Sequence, residues 1–120
     1  MSKFDIEFRE VIRVTFLEPG KTEKYFITED PTDWRKSFYQ PVDLNDLAEM
    51  IGRAYKFESE YYDKKNSGFS RFLEGFGEFN RKGGSDVAVN TMEVNEMGEI
   101  QVEITEEEDV EFVSEVDCAY

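Results

Sequence analysis

Apolar and polar residues alternate over the first stretch of the chain. Phe4, Ile6, Phe8, Ile12, Val14 and Phe16 fall on one side, and Asp5, Glu7, Arg9, Arg13 and Thr15 on the other. A period of two predicts a half-buried β-strand over Phe4–Phe16. Glu10 interrupts the apolar side and predicts a bulge or an edge there. Glu18-Pro19-Gly20-Lys21 has the residues of a tight turn. Glu23–Thr28 is therefore expected as a returning strand, with Tyr25 beside Val14 and Ile27 beside Ile12.

The period then changes. Asp30 and Pro31 read as a cap and a first helical position, with Asp33 near the positive end of the helix dipole. Trp34 and Phe38 follow one turn apart, and Pro41 keeps this helix short. Asp43 opens a longer helix, because Leu44, Leu47, Ala48, Ile51, Ala54 and Tyr55 recur at three- and four-residue spacing. Its end is expected between Glu58 and Asp63, ahead of a Lys64–Gly68 loop. Phe69, Phe72, Leu73, Phe76 and Phe79 have helical spacing behind a Ser70 cap, so a third helix is expected there. Gly75 and Gly77 each weaken it by about 1 kcal/mol relative to alanine.

Asp86–Thr105 reads as a hairpin closed by Glu96-Met97-Gly98. That loop sets Val94 opposite Ile100 and Met92 opposite Val102, with Ala88 and Ile104 on the same buried side. Thr91, Glu93, Glu99, Gln101 and Glu103 then occupy the outer face. Val110–Val116 is a candidate for one more short strand. The expected fold is α+β, with an antiparallel sheet of four to five strands and two to three helices on one face, in the order β-β-α-α-α-β-β. Residues 1–105 form one domain in this reading. Residues 106–120 form an acidic C-terminal segment, read as a short strand or a partly ordered tail.

Composition sharpens this picture. The chain has 120 residues, enough for one core without disulfides or metal, and its 11 Phe, 6 Tyr and 1 Trp supply bulky material for that core. No apolar run is long enough to span a membrane and the N-terminus lacks a signal core, so a cytoplasmic location is expected, that of the host cell if the gene is phage-borne. The single cysteine, Cys118, fits a reducing compartment.

Missing side chains exclude much chemistry. With no histidine and 1 cysteine, Ser-His-Asp and Cys-His catalysis and thiolate-imidazole zinc sites have no residues to work with. No glycine-rich phosphate loop and no calcium-binding loop is present. Asp63-Lys64-Lys65 faintly resembles the acid-x-lysine element of metal-dependent nucleases, but a solvated loop accounts for it better. The expectation is a non-enzyme with no catalytic residues, no metal site and no cofactor.

Charge remains. The net charge is −14, and all 14 Lys and Arg lie at or before Lys82, so the last 38 residues hold 12 acids and no base. Such a surface repels nucleic acid and anionic lipid and steers basic proteins toward itself. Glu93, Glu99, Glu103, Glu106, Glu107, Glu108, Asp109, Glu111, Glu115 and Asp117 form the candidate partner-binding array. Outward residues on a strand repeat every ~6.6 Å and strands lie ~4.8 Å apart, a spacing of the same order as phosphate charges on a duplex.

In size and charge the chain resembles the small acidic inhibitors of restriction, CRISPR or repair enzymes, often phage-encoded. The resemblance implies a DNA-mimicking protein, monomeric or a homodimer, that covers a basic nucleic-acid-binding partner. An immunity protein against a basic nuclease would use the same physics. One alternative is a phage or bacterial structural or assembly protein whose acidity only confers solubility. Another is a single-stranded-DNA-binding protein with an acidic partner-recruiting tail, outlined by Val116-Asp117-Cys118-Ala119-Tyr120. The body lacks the basic-aromatic groove that this last reading needs. Tyr61 and Tyr62 beside Lys64 and Lys65 supply too few cations to bind nucleic acid directly.

Overall fold

The first strand and the last strand are partners. β1 (Ser2–Phe16) runs antiparallel to β6 (Ile100–Asp117), in register from Phe16 opposite Ile100 to Ser2 opposite Asp117. This computed structural model describes the backbone of residues 2–91 and 94–117, and the side chains of residues 3, 10–91 and 94–105. The apolar alternation of β1 meets that of β6: Val14 faces Val102 and Ile12 faces Ile104 across the ladder. The register slips between Phe8 and Glu10, where a bulge was expected, and again between Asp5 and Ile6.

Between these strands lie helices and then a meander. After β1 come α1 (Pro19–Glu23), a π-helical turn over Lys24–Thr28, α2 (Trp34–Ser37) and α3 (Leu44–Phe57). Then follow β2 (Tyr61–Asp63), β3 (Gly68–Leu73), β4 (Gly77–Lys82), β5 (Val87–Asn90) and the short α4 (Val94–Met97). The six strands form one antiparallel sheet in the order β1-β6-β5-β4-β3-β2. The fold is thus mixed helix and sheet, as expected, with six strands where four to five were expected.

One face of the sheet carries the core. Leu73, Phe79, Ala88, Ile100 and Val102 are buried against Leu47, Ile51 and Tyr55 of α3 and against Phe26, Trp34 and Phe76. Asp43 caps α3 by accepting the Asp46 N–H at 2.8 Å. α3 packs on β1 at Gly52, where a Cβ would make ordinary van der Waals contact, 3.7 Å from Ile12 and 3.8 Å from Val14.

Four expectations are corrected. Glu23–Thr28 is helical, not a strand. Pro19 starts a helix rather than a turn, and the adjacent Tyr25 and Phe26 are both buried, which a strand with one solvated face cannot achieve. The helix expected from Asp30 starts at Trp34. Asp30 still serves it from outside, its carboxylate accepting the backbone N–H groups of Trp34 at 2.7 Å and Arg35 at 3.2 Å.

Phe69–Phe79 is the β3–β4 hairpin rather than a helix. Gly75 and Gly77 sit at φ 89° and 90°, in the region that favours glycine, so the residues that would weaken a helix here build a turn. Leu73, Phe76 and Phe79 reach the core, while Phe69 and Phe72 are exposed.

The Glu96–Gly98 hairpin loop is replaced by α4, and the register moves by four residues, to Ala88 opposite Val102. The even shift keeps Ala88, Ile100 and Val102 on the buried face and Glu99, Gln101 and Glu103 on the outer one, while Val94 leaves the strand for α4. Met92 falls outside the described residues.

Candidate functional site

The face of the sheet away from the helices is polar, as expected of an antiparallel sheet covered on one side. Its central row crosses all six strands: Tyr61, Ser70, Asn80, Val89, Gln101 and Thr15 are successive register partners. In the neighbouring row Asp63, Gly68 and Lys82 align on β2–β4, and Val87, Glu103 and Arg13 on β5, β6 and β1.

A chain of hydrogen bonds runs through one end of this face. Asn80 Nδ2 donates to Ser70 Oγ at 2.9 Å, and Ser70 Oγ donates to Asp63 Oδ2 at 3.3 Å. Asn66 Nδ2 lies between two carboxylates, donating to Asp63 Oδ2 at 2.6 Å and Glu78 Oε1 at 3.0 Å. Tyr61 Oη donates to Glu78 Oε2 at 2.6 Å. Asp63 also accepts the Lys65 and Asn66 backbone N–H groups, which folds the β2–β3 turn back on itself.

These contacts move two ionisations. The side chains around it, Glu78 first and the Asn66 amide next, hold the Asp63 carboxyl down at about 2. The Glu78 carboxylate holds the Tyr61 phenol proton, pushing its pKa up to about 12. Among the described residues no cluster of three or more acids, histidines or cysteines could hold a metal ion.

On the helix side, Arg81 grips Glu60 with Nε at 2.8 Å from Oε2 and Nη2 at 2.6 Å from Oε1. Arg71 lies over the Tyr55 ring, its guanidinium carbon 4.3 Å from the ring centroid, and donates to the Tyr55 carbonyl at 2.7 Å. The Arg81 hydrogen bond holds the Glu60 carboxyl below its ordinary value, and burial raises the Tyr55 phenol. These cations are consumed internally and tie α3 to the meander.

The acidic residues named from the sequence fall into three groups. Glu99 and Glu103 lie half-buried on the uncovered face of β6, with Gln101 between them donating to Glu99 Oε2 at 3.0 Å. Glu103 is also paired, 3.1 Å from Arg13 Nη1. Glu106, Glu107, Glu108, Asp109, Glu111, Glu115 and Asp117 are on the continuation of β6. Glu93 lies outside the described residues.

Beyond Glu103, β6 pairs with β1 alone among the described residues, so the two strands continue past β5 as a ribbon. The eleven β1 residues beyond Arg13, 2–12, reach about 36 Å at a strand rise of ~3.3 Å. Residues 2–13 and 103–117 carry three basic and eleven acidic residues, a net charge of −8. Glu7 registers with Glu111 and Glu10 with Glu106 across the ladder.

The polar chain through Asn66, Ser70, Glu78 and Asn80 was not anticipated. The alternation of Glu78, Asn80 and Lys82 with Phe79 and Arg81 signals a strand with one polar face, but the helical spacing of the phenylalanines masked it. No helix among the described residues is long and apolar enough to cross a membrane. No family model matches the chain, and no similar curated protein or solved structure was found.

Proposed function

We propose that this chain is an acidic interaction module that covers the basic, nucleic-acid-binding surface of a partner protein. The observation that carries the reading is the segregation of charge. Eleven acids against three bases fall on residues 2–13 and 103–117, the segments that the register joins into one ribbon. The remaining arginines near the sheet centre, Arg71 and Arg81, are occupied by Glu60 and by Tyr55.

In this reading residues 1–105 are the scaffold and 106–120 extend the partner-facing segment. The protein works as a monomer or homodimer in the cytoplasm, without catalysis or cofactor. The net charge of −8 on residues 2–13 and 103–117 attracts a basic partner at long range. This favours fast, salt-sensitive association.

The test is competition. The immobilised chain should capture a basic protein that duplex or single-stranded nucleic acid then displaces at constant ionic strength. A captured protein that keeps its nucleic acid while bound to the chain contradicts the proposal.

A further inference from the structure

The uncovered sheet face carries a groove of about 650 Å³, lined by Asn66, Asn80, Lys82, Val89, Glu99 and Gln101 among others. Each of these amides has its NH₂ group committed inside the protein. Asn66 Nδ2 serves Asp63 and Glu78, Asn80 Nδ2 serves Ser70, and Gln101 Nε2 serves Glu99. The amide orientation at Asn80 follows from chemistry. The Asp63 carboxylate can only accept, so the Ser70 hydroxyl donates to it, and Ser70 is then left to accept from Asn80 Nδ2.

The Asn80 carbonyl oxygen is left over. Asn80 is 2% exposed, and its Oδ1 has no hydrogen-bond partner among the described residues. A buried acceptor left without a donor costs about 1–3 kcal/mol, so Asn80 Oδ1 takes a donor from outside the chain, water in the free protein or a partner group that replaces it. Among the described residues Asn66 Oδ1 and Gln101 Oε1 accept no hydrogen bond either. The groove therefore offers amide oxygens and the Glu99 carboxylate, over a floor that includes Val87 and Val89. Lys82, its one lysine, is exposed and can turn its ammonium to water.

We infer that this groove receives an arginine side chain of the partner protein. A guanidinium has five N–H donors in a flat fork and no acceptor, which complements a lining of acceptors with an aliphatic floor. The inference rests on the proposed function for its partner, and it adds a docking point on the body of the sheet, separate from the ribbon.

The experiment titrates the full-length protein with N-acetyl-arginine amide and follows the side-chain amide resonances by NMR. The expected result is saturable shifts of the Asn66, Asn80 and Gln101 amides. Neutral, isosteric N-acetyl-citrulline amide should bind at least about tenfold more weakly. Glu99→Gln and Gln101→Leu, both at half-buried positions, should each weaken the arginine response about three- to tenfold, while Glu107→Lys/Glu108→Lys on the ribbon should leave it in place. Absence of saturable shifts, equal shifts with citrulline, or shifts that follow the ribbon variant would overturn the inference. Groove binding that persists while the competition experiment fails would reject the inhibitory function alone. A silent groove with successful competition would reject the groove alone.

Discussion

Arg13 and Glu103 face each other across the β1–β6 ladder, Nη1 to Oε1 at 3.1 Å, at the point where β6 leaves β5 and the ribbon begins. The arginine is 64% exposed and the glutamate 24%. It is an exposed pair whose loss costs under about 1 kcal/mol. Arg13→Ala should therefore change the urea midpoint little, yet tighten binding of a basic partner, because it frees Glu103 and removes a positive charge from the acidic surface. Isothermal calorimetry at low salt measures this. Weaker binding by Arg13→Ala would show that the arginine, not the carboxylate, makes the contact.

The Ser70 hydroxyl has a different standing. It is fully buried and joins Asn80 to Asp63, so Ser70→Ala leaves Asn80 Nδ2 without an acceptor. The expected loss is about 1–3 kcal/mol, read from urea unfolding. A change of only a few tenths would mean that the amide finds another partner and that the chain of hydrogen bonds does not fix its orientation.

Two glycines should respond with opposite sign. Gly20 lies in α1 with nothing near its absent Cβ and with an ordinary negative φ, so Gly20→Ala should stabilise by about 0.5–1 kcal/mol. A Cβ at Gly68 would overlap the Arg81 carbonyl across the β3–β4 ladder. Gly68→Ala should cost about 1–3 kcal/mol or more. Thermal unfolding of the two variants side by side tests whether residues 68–82 form the hairpin described.

That hairpin also shows where the sequence is legible. Strand β1 and helix α3 declare themselves, because Phe4–Phe16 alternates with one interruption at Glu10 and Leu47, Ile51 and Tyr55 recur at helical spacing behind the Asp43 cap. Residues 69–79 satisfy two periods at once. Phe69, Phe72, Leu73, Phe76 and Phe79 fit a helix, and only the left-handed conformations of Gly75 and Gly77 decide for a turn. For Glu23–Thr28 the ambiguity is Pro19, which serves equally in a turn or as a first helical residue. The outward placement of Glu99 and Glu103 follows from strand parity and survives a four-residue change of register. The orphaned Asn80 oxygen could not be foreseen, because it depends on which partners three neighbouring strands bring to it.

Alkaline titration reports the same corner of the sheet. The Tyr61 proton is held by Glu78 and leaves at about 12, while burial also raises Tyr55. Because the folded value of Tyr61 exceeds its unfolded value near 10, the associated stabilisation is complete below pH ~10 and is lost as pH rises through about 12. Tyrosinate absorbance should show a late step that Tyr61→Phe removes. Superimposable late steps in the two proteins would show that Tyr61 does not donate to Glu78.

The central claim is that carboxylates of β6 and its continuation bind a basic protein surface. The most direct measurement is the affinity for the captured partner as a function of salt, for the native chain and for Glu99→Lys/Glu103→Lys/Glu107→Lys/Glu108→Lys. The native chain should lose affinity steeply with salt, and the variant should bind at least a hundredfold more weakly with a much shallower slope while keeping the native circular dichroism. Equal affinity and equal slope in the two proteins would contradict the account.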